Sequence, residues 1–149
     1  QAYHDAMKEK AKYGKVKSFT YMHIPIPEYE YAVFQDENNK FGFTDKCEIL
    51  YGGVYESVGC SKHNSGLFAL IKKLDSTEAM FSGHDHVNDF CAIYDGVYLV
   101  YNQCGGYETY TLEEKTGWGE EKWIQGVTMT DIASDGTFKI TPRYNRDYL

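Results

Sequence analysis

Five histidines occur in the chain, and two of them stand in Gly83-His84-Asp85-His86. Imidazoles at i and i+2 on an irregular loop can turn toward neighbouring metal centres, and imidazole is the commonest side-chain metal ligand. A His-x-His by itself carries little, because two exposed loop histidines give the same pattern. Here Ala79-Met80-Phe81-Ser82 precedes it as a short buried strand, which is the rigid base that metal geometry needs. Gly83 removes Cβ bulk before the first ring and allows an unusual φ. A third histidine, His23, ends an aromatic-rich run over 18–22, and Ile24-Pro25-Ile26-Pro27 follows it. The two prolines forbid a regular continuation in helix or central strand. Alone, His23 reads as a hydrogen-bonded structural residue; beside His84 and His86 it reads as a ligand. Parallel strands of an α/β sheet bring their C-terminal ends together, so the three rings are expected to converge there. Imidazole suits zinc, iron and manganese alike and does not choose among them.

The elements that must position these rings follow from periodicity and punctuation. Tyr3, Met7 and Ala11 make one stripe of a helix over 3–13, closed by Gly14. A strand over 18–22 delivers His23. Residues 28–59 hold Asp36-Glu37-Asn38-Asn39 and Gly42, Gly52, Gly53 and Gly59, and read as a long ordered loop with short local elements. A helix over 66–73 follows, capped by Asn64 or Ser65, with Leu67, Leu70, Ile71 and Leu74 on its buried face. The strand over 79–82 delivers His84 and His86. Strands over 89–94 and 97–101 form a hairpin around Asp95-Gly96. Cys104-Gly105-Gly106 opens a glycine-rich loop, and late strands over 123–129 and 137–141 flank a turn at Ser134-Asp135-Gly136.

The 149 residues suit one domain or a piece of a larger one. The net charge of −7 comes without a basic stripe, so nucleic acid is not an expected partner. An acidic protein still binds a phosphate ester if metal ions supply local positive charge. No apolar run approaches the roughly 18–20 residues that span a bilayer, so no membrane partner is expected. The chain opens at Gln1 without a signal pattern, the expectation for a processed, trimmed or truncated start. Cys47, Cys60, Cys91 and Cys104 make no C-x-x-C, which disfavours a zinc ribbon. Two disulfides and four thiols both stay open.

Three stretches carry a resemblance: His23-Ile24-Pro25-Ile26-Pro27-Glu28-Tyr29, Asn64-Ser65-Gly66, and Gly83-His84-Asp85-His86-Val87-Asn88-Asp89-Phe90-Cys91. In order and spacing they resemble the calcineurin-like metallophosphoesterases, in the branch related to purple acid phosphatases, from the first helix to about Trp123. The resemblance implies an α/β fold: the C-terminal half of a metallophosphoesterase-type αββα sandwich, with residues 1–149 as a partial catalytic domain. It implies two divalent or trivalent ions of iron, manganese or zinc, with His23 and His84 on the second metal and His86 on the first. The implied activity is hydrolysis of phosphate esters, phosphomonoesters first, by a metal-bridging hydroxide. The compartment stays open, with a secreted or vesicular parent favoured over others; if the parent is secreted, Cys60 and Cys91, both beside family-like motifs, are the preferred disulfide pair.

The departures are large. The family's upstream motifs Asp-x-His, Gly-Asp-x-x-Asp and Gly-Asn-His-Asp/Glu do not occur in this chain. About half the metal shell and the general-acid histidine are therefore expected in a missing N-terminal half of the same domain. The first strand is expected to expose the edge where that half belongs, and the chain alone to turn over little. Asp85 and Asp89 read either as acceptors for an imidazole N–H or as solvated loop acids. Asn88 reads as an Asx turn ahead of a loop-backbone partner, and Asn64 as a helix cap. Glu56, Cys60 and Asn64 sit where the family's loop nears the site. His63 and His4 read as surface residues, and the tyrosines over 101–110 as packing residues or the lining of a groove. Two other readings compete: a truncated or degenerate fragment without turnover, and a phosphodiesterase of the same superfamily. A partner-binding module leaves the histidine spacing unexplained.

Overall fold

The computed structural model describes residues 12, 18–75, 77–106, 108–112 and 123–148. His4 and, apart from Lys12, the helix read over 3–13 lie outside them. The architecture is mixed α/β, mostly strands with few helices, as fits the later half of a metallophosphoesterase-type domain.

Five strands form the central sheet: β1 (Phe19–Tyr21), β4 (Cys47–Gly53), β5 (Ala79–Ser82), β6 (Asp89–Tyr94) and β7 (Val97–Tyr101). Their order is β1-β5-β7-β6-β4, with β1, β5 and β7 parallel and the other two pairings antiparallel. Side chains alternate between faces with period two. Met80, Phe90, Ala92, Val97, Leu99 and Tyr101 join one core; Ala79, Phe81, Cys91 and Val100 join another. β5 is buried throughout, so Ala79, Met80 and Phe81 are apolar, and the buried Ser82 ends the strand.

The first face is covered by two helices, α1 (Pro27–Tyr31) and α2 (Leu67–Leu74), and by the hairpin of β2 (Val33–Gln35) and β3 (Phe41–Phe43). Tyr29 anchors α1: fully buried, its hydroxyl donates to the Met80 carbonyl at 2.6 Å. The second face is covered by the hairpin of β8 (Gly126–Ile132) and β9 (Phe138–Tyr144). Phe138 packs edge-on against Phe19 and Tyr98, and Ile140 packs on the second core. Among the described residues no helix is long and apolar enough to cross a membrane.

Several expectations hold. The buried strand over 79–82 is β5, and Asp95-Gly96 turns β6 into β7 with φ positive at both residues, as a type I′ turn requires. The first strand lies at the sheet edge. Others need correction. Residues 28–59 hold most of α1, a hairpin, and a seven-residue strand of the main sheet rather than a long loop. The alternation that would have revealed β4 is broken by a register shift between Ile49 and Tyr51, since a bulge slips the pattern by one residue. Gly52 then has φ +83°, and a Cβ there would lie 1.9 Å from the Asp89 carbonyl. The α2 helix has Gly66 at its N-cap with no side-chain cap; Asn64, two residues before it, instead accepts from the Gly66 N–H at 2.8 Å. Phe68 and Ile71 are its buried residues, while Leu70 faces outward. The late strands run 126–132 and 138–144, later than read.

The cysteines are free thiols. Cys91 lies in the second core and Cys60 packs on the first, so the sheet separates the pair that the resemblance favoured.

Candidate metal centre

The parallel pair of β1 and β5 builds the site. Its ladder continues past both strand ends: Met22 N–H donates to Phe81 O at 3.0 Å and Gly83 N–H to His23 O at 3.1 Å. That register carries His23 to the start of the Gly83–His86 loop, and their rings meet. The His23 and His84 ring centroids lie 5.2 Å apart with planes at 78°. Both residues are exposed, so the pair faces solvent.

His84 has φ +87°. A side chain there costs roughly 1 kcal/mol or more, and such conformations concentrate where a ring must be aimed. Gly83 was expected to take the unusual φ; the left-handed residue is the histidine itself, and the space beside Gly83 is open. Gly59 comes close instead. A Cβ on it would lie 2.6 Å from Asp85 Oδ1 and 2.8 Å from His84 Cδ2, so only glycine lets loop 54–60 touch this ring.

That loop is tied down by two buried side chains. Asp85 accepts from Gly59 N–H at 2.9 Å, from Asn88 Nδ2 at 3.2 Å, and from the Tyr101 hydroxyl. Tyr101 in turn accepts from Asp85 N–H at 3.0 Å. Burial and the Asp85 carboxylate push the Tyr101 phenol well above its ordinary range, so it donates. Asp85 is thus no solvated acid; it joins three segments. Asn88, fully buried, accepts from Tyr55 and Glu56 N–H at 2.9 and 3.2 Å and donates to Glu56 O at 3.2 Å. It therefore bridges distant loops rather than closing an Asx turn.

Asp89 sits apart, buried beneath the β8–β9 hairpin, and accepts from the Tyr144 hydroxyl at 2.6 Å. Burial pushes its carboxyl up to about 6, against the opposing pull of Tyr144 and Arg146. Asn64 donates to Glu28 Oε1 at 2.8 Å and so joins two of the motif stretches. Cys60 is half-buried, its thiol pushed up to about 11 by burial and by Glu30, so it is not a thiolate at neutral pH. His63 is exposed, as expected.

His86 has partners of its own. Its ring stacks on Tyr110, centroids 5.0 Å apart and planes at 12°, and its Nδ1 lies 2.9 Å from Thr109 Oγ1. Thr109 was not singled out in the sequence, and Tyr110 was read there only with the other tyrosines as packing or groove lining; it packs on His86. The signal was topological: β7 runs parallel to β5, so the segment after β7 returns beside the segment after β5.

Do these residues fit a pair of metals? Two neutral imidazoles side by side suit one ion, and an imidazole with one nitrogen already hydrogen-bonded suits another. Among the described residues, no three or more His, Cys, Asp or Glu side chains form a group that could hold an ion. The fit is to part of a shell, not a closed one.

No protein-family model and no solved structure matches the chain. Three curated relatives from Arabidopsis thaliana do. "Probable inactive purple acid phosphatase 14" is 32% identical over 117 residues, 78% of this chain and 24% of the relative. "Probable inactive purple acid phosphatase 29" is 32% identical over 105 residues, 70% of this chain and 23% of the relative. "Probable inactive purple acid phosphatase 28" is 35% identical over 88 residues, 52% of this chain and 22% of the relative. The chain thus spans about a quarter of the length of the relatives it matches. With the motif order and the sheet that joins His23 to His84, these likenesses identify the chain as belonging to the purple acid phosphatase-related branch of the metallophosphoesterases.

Proposed function

We propose that the chain supplies part of a dinuclear metal centre that hydrolyses phosphate esters, with His23 and His84 on one ion and His86 on its neighbour. The observation that carries this reading is the edge-to-face pair of His23 and His84, delivered by two parallel strands. The family generally uses a dinuclear centre. Bound metals would supply a hydroxide nucleophile at neutral pH and neutralise charge on the phosphoryl oxygens. The chain's own part is positioning. The β1–β5 ladder fixes the His23 backbone, the left-handed φ aims His84, and Asp85 and Asn88 hold the two loops together. Phosphomonoesters are the substrate class proposed, and iron, manganese or zinc the metals. On this reading the other ligands and the proton donor to the leaving group belong to an N-terminal half of the same domain, seated on the edge of β1 that no described strand covers.

A second reading has its own support: the relatives are named inactive, and the described residues close no ligand shell. The chain would then keep the fold without turnover. Metal analysis and hydrolysis of aryl phosphate mono- and diesters by the longest protein containing this chain separate the two. The enzyme reading expects His84→Ala to lose metal and lower kcat at least 100-fold, and His63→Ala to change neither. Undiminished turnover in His84→Ala refutes it; metal binding without turnover in the wild type selects the second reading.

A further inference from the structure

His86 is held on two sides by consecutive residues. Thr109 meets the ring edge at Nδ1, 2.9 Å away, and Tyr110 covers one ring face. Tyr110 is fixed in turn: its hydroxyl donates to Glu56 Oε1 at 2.7 Å and accepts from His86 N–H at 3.3 Å. The backbone of Glu56 is held by Asn88. The network behind His84 therefore extends to His86 without passing through either imidazole.

A neutral imidazole has one N–H and one lone pair. If Nδ1 carries the proton and donates to Thr109 Oγ1, the lone pair is on Nε2. If Thr109 donates, the lone pair at Nδ1 is consumed and Nε2 carries hydrogen. Only the first arrangement leaves a ring nitrogen able to bind a metal, and metal-binding histidines commonly give their other N–H to such an acceptor. Stacking on Tyr110 resists ring rotation, with aromatic pairs worth about 0.5–1.5 kcal/mol.

We propose that Thr109 and Tyr110 are positioning residues that hold His86 as its Nδ1–H tautomer with Nε2 left as the ligand nitrogen. This rests on the metal reading above.

The test is long-range 1H–15N spectroscopy of the metal-free, 15N-labelled protein, with His86 assigned by the signal lost in His86→Gln. The wild type should show the Nδ1–H form. Thr109→Val, isosteric but without the hydroxyl, should shift His86 toward Nε2–H, and Thr109→Ser should restore Nδ1–H. Tyr110→Phe should keep the tautomer, since the stacked face remains. Zn(II) titration, followed at each ring, should show about 10- to 100-fold weaker binding at His86 in Thr109→Val and recovery in Thr109→Ser. An Nε2–H signal in the wild type, or no change in Thr109→Val, overturns the proposal. Zn(II) shifts at His23 and His84 beside an Nε2–H His86 retire the Thr109 role alone. An Nδ1–H His86 with no Zn(II) shift at any of the three rings retires the metal reading and leaves the tautomer assignment standing.

Discussion

Replacing Gly59 with alanine tests whether loop 54–60 presses on the histidine pair. The added methyl would sit 2.6 Å from Asp85 Oδ1, 2.8 Å from His84 Cδ2 and 3.2 Å from His84 Nε2. Ordinary carbon contacts need about 3.5–4.0 Å, so about 1 Å of movement is required. Asp85 resists, because moving it strains hydrogen bonds from Gly59, Asn88 and Tyr101, each worth about 1.5–3 kcal/mol when the acceptor is charged. The exposed His84 ring gives way more cheaply, at the expense of its contact with His23. Overpacking of this kind typically costs about 1–3 kcal/mol, or about 3–10 °C in melting temperature for a domain of this size. Calorimetry of Gly59→Ala measures the loss, and cross-ring NOEs between His23 and His84 measure the displacement. Gly83→Ala is the matched control: its site is open and its φ is not left-handed. There alanine should be neutral or stabilise by up to about 1 kcal/mol, by restricting the unfolded chain. A Gly59→Ala protein that melts within about 1 °C of wild type and keeps its NOEs would refute the packing argument.

Three further outcomes are expected. Asp89 holds its proton more tightly folded than unfolded, its carboxyl raised from 3.8 to about 6, so its contribution is most favourable below about pH 4 and is lost as pH rises toward 6. At 1.36 kcal/mol per unit the loss is about 3 kcal/mol at most. Urea denaturation should show wild type losing stability relative to Asp89→Asn across that window, and a flat difference would refute the burial argument. Asn88→Asp cannot donate to Glu56 O and places a carboxylate against Asp85, so it should destabilise by about 2–4 kcal/mol; denaturant midpoints unchanged from wild type would count against the bridge. His84→Gly should relieve the left-handed strain and stabilise the fold by about 1 kcal/mol while removing the ring, seen as a raised melting temperature; a lowered one would show that His84 is not strained.

The parts legible in the sequence are those where local pattern and tertiary environment agree. Ala79, Met80 and Phe81 of β5 read as an apolar run because both its faces are buried, and the Asp95-Gly96 turn carries the residue types its dihedrals demand. His23 and His84 were legible as a pair because strand ends in parallel sheets cluster. What escaped depends on partners far along the chain. The bulge in β4 breaks the alternation that marks a strand. Asn88 and Asp85 have side chains that also suit local turns, and nothing nearby shows that their partners lie at 55–59 and 101. Thr109 and Tyr110 gain their place only from the parallel course of β7.

The first strand is three residues long and, among the described residues, pairs only with β5, yet it leads into His23. Beside the ladder, Tyr21 stacks on Phe81, centroids 4.7 Å apart, and Phe19 lies between Phe81 and Phe138. A short edge strand of this kind opens locally at a fraction of the free energy that unfolds the interior. Each opening separates the two rings while the other four strands stay paired. A ligand gripped by both histidines would therefore act as a rivet, slowing amide exchange from 19 to 22 and leaving the interior strands unchanged.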